Sequence, residues 1–431
     1  MFSLRYHQLV VLGLMPLLAT TCTHFTAHPL DAAASAARLT DRRLSAKTWT
    51  LKSLTEEALK NHSDIAVARA KYETAVAAVR TAGERPNPTI ALAPQVVTPW
   101  TNWIAGTYSV DFDWTIETAG KRSKRLNVAH AKVRAAAADV IDATWKVRAA
   151  VRKSFLEVYA TGQRAKLLNE AIAQQDVLLK AFDERIKAGA ESRSATSQAR
   201  LLQAQMRLQA AESARLGAVA RALLAEALAM SVRGLDGAHF SFDAFEKSNP
   251  SIPGRKKALT HRADVLASLA EYAAAEATLR LEIAKQYPDL HLNPGYSFDT
   301  GENKWTLGIG LTLPILNQNK GAIGEADAKR KEAATMFESV QAKVLAEYDR
   351  AAVTLTAART KLDTTDALLD EQAQQVASEE RLLKAGSGER TALLSAKVER
   401  AVTLTARVDA LAEIQAALGG LEEATQTPIA K

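Results

Sequence analysis

The chain has 431 residues, 47% hydrophobic but only 6% aromatic, with a formal net charge of +7 and one cysteine. Ala, Leu and Val therefore dominate the apolar content, which favours long helices in close contact over one thick globular core. An intrachain disulfide framework is excluded, and the interleaving of acids with bases, as in Lys329-Arg330-Lys331-Glu332, reads as solvated helix faces rather than a nucleic-acid surface.

In chain order, residues 1–21 read as a secretory signal, with Arg5 ahead of an apolar stretch from Leu9 to Ala19. Cys22 follows in Leu18-Ala19-Thr20-Thr21-Cys22, which partly resembles a lipoprotein cleavage box. Lipidation of Cys22 and ordinary cleavage beside a free thiol both stay open. Beyond the signal no run of 18 uninterrupted apolar residues occurs, so no inner-membrane spanning helix is expected. Residues 22–50 form an N-terminal arm.

A first structural repeat is expected over 51–231, opening with a helix over 55–85. Two strands with a period of two follow. Over 89–97 the apolar face carries Ile90, Leu92 and Val96; over 106–116 Tyr108, Val110, Phe112, Trp114 and Ile116 oppose Thr107, Ser109, Asp111, Asp113 and Thr115. Helices over 119–187 and 191–231 come next, with Val140, Ala143, Val147, Val151 and Phe155 recurring at threes and fours as a seam for neighbouring helices. Residues 232–254, with Gly234, Gly237, Asn249-Pro250 and Pro253-Gly254, break the periodicity and read as a linker.

A second repeat over 255–425 runs through the same order: a helix over 255–286, strands over 289–299 and 304–314, and helices over 318–386 and 389–424, before a tail over 426–431. In its strands Leu290, Leu292, Pro294, Tyr296 and Phe298 share one face, as do Trp305, Leu307, Ile309, Leu311 and Leu313. A shift of 200 positions superposes Ala58 on Ala258, Asp64 on Asp264, Tyr72 on Tyr272 and Pro88 on Pro288, the mark of an internal two-fold repeat. In each half the two shorter helices together match the longer one. They are expected to stack end to end beside it in a tube about 100 Å long.

Strands of about ten residues suit the tilted wall of an outer-membrane barrel. Four cannot close one, and an open edge facing lipid would leave backbone groups without partners. Oligomerisation follows, and three copies give twelve strands and a usable lumen. The expected fold is mainly α: antiparallel helical hairpins form an α-barrel, and four transmembrane β-strands per chain complete a 12-stranded β-barrel in a homotrimer. Asp111, Asp113, Asp289 and Asp299 would face the lumen and favour cations. Trp100, Trp103 and Trp305 would flank the strand loops as an interfacial aromatic belt. The long helices end at similar breaks, Glu184-Arg185-Ile186-Lys187-Ala188-Gly189 and Glu380-Arg381-Leu382-Leu383-Lys384-Ala385-Gly386, where glycine supplies a left-handed residue and Ser192 or Ser387 is available to cap the next helix.

These residues resemble the TolC family of outer-membrane efflux proteins. The carriers are Ala58-Leu59-Lys60-Asn61-His62-Ser63-Asp64-Ile65, Arg85-Pro86-Asn87-Pro88, Glu117-Thr118-Ala119-Gly120-Lys121-Arg122, Leu313-Pro314-Ile315 and the two glycine turns. The Glu117–Arg122 segment leans toward the heavy-metal branch, whereas His62-Ser63 stands where the family often has Asn-Pro, and Lys384 where an aromatic is common. The resemblance implies a trimeric channel-tunnel in the outer membrane of a Gram-negative bacterium, with a long periplasmic portion. It also implies docking through the tips onto a periplasmic adaptor and an inner-membrane pump of the RND type. Carried over by position, Arg185, Gly189, Ser192, Arg381, Gly386 and Ser387 would lie at the docking and gating end.

No catalytic constellation stands out, so the chain reads as a passive duct rather than an enzyme. No cofactor is implied, and the eight scattered histidines offer no ligand spacing for a metal. Two other readings are an outer-membrane duct for protein or toxin secretion, whose architecture would be the same, and a periplasmic adaptor. The adaptor would hold one hairpin between the halves of a β domain, whereas here the strand pairs sit opposite the helical turns and everything occurs twice.

Overall fold

A computed structural model describes residues 25–96, 106–190, 192–246, 254–299 and 301–429. The chain divides into a short N-terminal unit ending at Arg42 and a main unit from Arg43 onward. In the first, helix α1 (Ala32–Asp41) starts where the Asp31 carboxylate accepts from the Ala33 and Ala34 amides, and it buries none of its residues. Cys22, Trp100 and Trp103 lie outside the described residues, as do positions 1–21 of the expected signal.

The main unit runs β1 (Thr48–Trp49), α2 (Leu51–Asn61), α3 (Ser63–Gly83), β2 (Thr89–Val96), β3 (Gly106–Ile116), α4 (Lys121–Lys187) and α5 (Arg193–Ala227). After a short 3-10 turn come β4 (His239–Phe240) and α6 (Asp243–Glu246). Then follow α7 (Arg255–His261), α8 (Ala263–Ala284), β5 (Leu290–Asp299), β6 (Glu302–Leu311), α9 (Lys320–Lys384) and α10 (Arg390–Thr425). The 67 residues of α4 and the 65 of α9 each extend about 100 Å.

Two expected helices are each broken in two. His62 and Arg262, 200 positions apart, take extended backbone (ψ 131° and 143°) and separate α2 from α3 and α7 from α8. His62 supports its break by accepting the Asp64 amide on Nδ1. Arg262 is held by Asp264 and Glu347, both at 2.7 Å.

The helices form a wall one layer thick. Near the sheet α3 lies on α4, α4 on α8 and α8 on α9; toward the far turns the order is α5, α4, α10, α9. Stacked shorter helices thus flank each long one. The contacts between them are built largely from alanine: Ala129, Ala131, Ala135 and Ala138 of α4 and Ala270 and Ala274 of α8 are all buried. Such seams let helix axes approach closely but bury little apolar area per residue.

The thick core sits midway. Residues 232–246 do more than link: β4 pairs in parallel with β1, and Phe240, Phe242 and Phe245 gather around Phe155 of α4 with ring centroids at 5.7, 4.7 and 5.7 Å. Trp49, Leu54, Leu224, Leu228 and Leu235 complete this cluster. Beside it Arg152 of α4 is buried by its neighbours, and that desolvation lowers its pKa; it donates to Gln415 (3.1 Å) and faces Glu422 (3.8 Å) on α10.

Candidate functional site

Strands β2, β3, β5 and β6 form one four-stranded sheet in that order, antiparallel throughout. The register aligns the two alternations of every strand. Leu92, Val110, Tyr296 and Trp305 make one cross-strand row, and Trp114, Leu292 and Ile309 another, so the apolar residues form a continuous face. That face is uncovered: Ile90, Leu92, Tyr108, Val110, Trp114, Leu307, Ile309 and Leu311 are exposed, and Trp305 is 81% exposed with its ring tilted against that of Tyr296, centroids 4.9 Å apart. In water each such side chain forgoes about 1.5–3 kcal/mol of burial. The outer edges of β2 and β6 have no strand beside them among the described residues.

The opposite face is polar and crowded. Gly295 sits between Asp111 and Thr306, and a Cβ there would come within 2.7 Å of both side chains. Gly308 lies on the same face, where a Cβ would be 3.2 Å from that of Asn293. Asp113 lies 3.2 Å from His291 Nδ1, and Asp299 accepts from Lys304 Nζ at 2.8 Å and from the Thr107 hydroxyl. Asp289 is placed differently from the other three: it precedes β5, where it accepts from Lys121 Nζ (2.7 Å) and the Thr118 amide (2.9 Å) and ties the foot of the sheet to the start of α4.

At the other end of the long helices are two matching turns. In the first, the Gly189 amide donates to the Ile186 carbonyl and the Ala190 amide to that of Arg185; in the second, Gly386 donates to Leu383 and Ser387 to Leu382. Both are Schellman turns, with glycine at φ +70° and +75° supplying the conformation that a Cβ disfavours. The serines do not act as expected. Ser192 holds the N-cap position of α5 but makes no side-chain cap bond, its Oγ lying 2.8 Å from that of Ser194, and Ser387 reaches back toward the Leu382 carbonyl while Glu389 takes the N-cap position of α10.

The two turns are neighbours. Arg185 Nη1 stands 3.0 Å from Glu389 Oε2, an ion pair spanning 204 positions of sequence. Arg381 is exposed. Two residues of the tip escaped the sequence reading: Glu389, and Gly388, where a Cβ would fall 2.6 Å from the Leu383 amide. The Gly-Ser-Gly run was the signal for the second; nothing local marks the first.

Among the described residues no three of His, Cys, Asp and Glu gather as a metal site, and no helix is long and apolar enough to cross a membrane, which says nothing of the sheet. A sheet with one lipid-compatible face, carried at one end of long helical hairpins, is the arrangement that the comparisons with known proteins resolve. The model of the outer membrane efflux protein family matches residues 54–229 and 254–426.

The chain belongs to the outer membrane efflux protein family.

The chain is also similar to the cobalt-zinc-cadmium resistance protein CzcC of Cupriavidus metallidurans, 28% identical over 258 residues, 58% of this chain and 61% of CzcC. The matched part thus spans less than two thirds of that relative's length. The fold is that of solved outer-membrane channels: OprN superposes with a TM-score of 0.72 at 17% identity, covering 94% of this chain and 99% of OprN. CusC, whose structures concern folding and transmembrane channel formation, gives 0.72 at 16% over 88% and 92%. The expected TolC-like, mainly helical fold is therefore found.

Proposed function

We propose that three copies of this outer membrane efflux protein form a passive exit duct across the outer membrane. The observation that carries this reading is the four-stranded sheet with an exposed apolar face and two open edges. Its strands alternate in direction, so β6 of one copy can continue antiparallel onto β2 of the next, and three copies close twelve strands without a free edge. The helical wall is likewise open at both margins: α3 and α5 expose Val67, Val76, Leu201 and Leu208, and α9 exposes Met336, Val353 and Leu368, apolar surface suited to the neighbouring copy.

In this reading the polar face lines the lumen. Its described strand residues carry Asp111, Asp113, Asp299 and Glu302 against Lys304, a balance that favours cations. The tips, with Arg185, Gly189, Ser192, Arg381, Gly386 and Ser387, meet a periplasmic adaptor that links the duct to an RND-type inner-membrane pump. The likeness to CzcC supports divalent metal ions as cargo. Deleting the gene should lower tolerance to cobalt, zinc or cadmium, and the wild-type chain should restore it. Unchanged tolerance to these metals alongside sensitivity to organic compounds would reassign the cargo. Single-channel recordings preferring anions in both wild type and Asp111→Asn/Asp113→Asn would reject the cation reading.

A further inference from the structure

We propose that the groove between α4 and α8, just below the sheet, binds the phosphate headgroups of anionic phospholipid in the periplasmic leaflet; this rests on the outer-membrane reading above. The groove encloses about 250 Å³ and is lined by Lys124, Asn127, His130 and Arg134 of α4 and by Glu276 and Arg280 of α8, over a floor of Ala273 and Ala277. Glu276 is its only acid, and it lies 2.6 Å from Arg280. Among the described residues no carboxylate pairs with Lys124 or Arg134, and Lys124 Nζ is held over the membrane-side turn by the Ala119 carbonyl at 2.8 Å.

The side of the wall on which this groove opens follows from the ion pairs at the foot of the sheet. Lys121 reaches Asp289, and Arg125 reaches Glu117, two acids that continue the alternation of the polar face beside His291 and Thr115. The same side of α4 carries Lys132 and the cleft where Ala78, Ala82, Val128 and Leu281 converge. Residues 127, 130 and 134 lie roughly 140–160° round α4 from it and Lys124 about 80°, at the rim, so the groove opens on the outer surface.

Lys124 lies about 4.5 Å along α4 from its start, at the level of a headgroup layer about 5–7 Å thick, whereas the backbone of Arg134 lies about 20 Å along it and reaches the layer only through its long side chain. Helix side chains lean toward the N-terminus, here toward the sheet, which brings the Arg134 guanidinium up toward Lys124. Leu313, Ile315 and Leu316, which follow β6 at the helix end of the sheet, are exposed and mark the lower border of the apolar band. Cations next to an apolar border are the arrangement that holds lipid phosphates.

The test is lipid enrichment by the purified assembly in discs of phosphatidylcholine mixed with phosphatidylglycerol, read by mass spectrometry of the retained lipid. Wild type should enrich phosphatidylglycerol, Lys124→Gln/Arg134→Gln should lose about five-fold of that preference per cation removed, and Lys132→Gln, on the other side of the wall, should keep it. Should the double variant fail to assemble, Arg134→Gln alone makes the same comparison, since its side chain is exposed. No wild-type preference, a preference that survives in the groove variants, or one lost equally in Lys132→Gln would overturn the proposal. Displacement of the lipid by millimolar inorganic phosphate would reassign the groove to free anions. Failure to enter phosphatidylcholine discs at all would instead overturn the duct reading.

Discussion

The Phe155 cluster and the four-stranded sheet carry comparable apolar content and treat it in opposite ways. Around Phe155 one chain supplies every partner: Phe240, Phe242, Phe245, Trp49 and Leu228 come from three separate stretches and leave Phe155 with no exposed surface. On the sheet the apolar rows are aligned just as well but left bare, and the strand edges are open. The contrast separates what one chain stabilises alone from what, in the proposed duct, it leaves to neighbours and lipid.

That contrast can be broken by mutation, beginning with the largest effect. Phe155→Ala should cost about 3–5 kcal/mol and lower the thermal midpoint equally in detergent and in lipid. Leu307→Arg, on the exposed face, should cost about 2–4 kcal/mol, visible only as reduced membrane insertion. If Leu307→Arg destabilised a detergent-free monomer as much, the face would be an internal core. Gly295→Val should block assembly because its side chain would displace Asp111 and Thr306; pairing it with Asp111→Ala and Thr306→Ala should recover assembled protein on a gel.

At the tips the expected stability effects are smaller. Gly189→Val and Gly386→Val place a branched residue at positive φ, costing about 1–2 kcal/mol locally. No atom lies within 4 Å of either added Cβ, so assembly abundance should hold while efflux falls. Loss of assembly instead would assign these glycines to capping alone. The smallest effect concerns Glu423, an exposed residue whose carboxyl pKa is raised by partial desolvation against its neighbours and by Glu347 nearby. A raised pKa favours the protonated folded form, so its contribution to stability is full below the unfolded value of about 4.3 and is lost as pH rises through the folded value. Glu423→Gln should therefore raise the thermal midpoint at pH 7 and leave it unchanged near pH 4.

The sheet was legible in the sequence because alternation is local: Tyr108 to Ile116 declare both faces without reference to any other strand. The glycine turns were legible for the same reason. The breaks at His62 and Arg262 were not, since neither Asn61-His62-Ser63-Asp64 nor Thr260-His261-Arg262-Ala263 carries a proline or glycine to mark a stop, and the second interruption is held by the contact of Arg262 with Glu347, 85 positions away. Residues 232–246 announced a break but not a core, because Phe240, Phe242 and Phe245 gain their burial only against Phe155. The Arg185–Glu389 pair joins two turns that no sequence pattern links, and the cap of α10 falls at Glu389 rather than Ser387, with the close approach at Gly388 between them.

In the proposed duct three sheets close on one another through their open edges. In a Cys22→Ser background, cysteines at Ala93 of β2 and Thr306 of β6 can be joined by a bifunctional maleimide in native membranes and resolved on a denaturing gel. A ladder that ends at three covalently linked chains is the expected result; monomers only, or a ladder running past three, would contradict it.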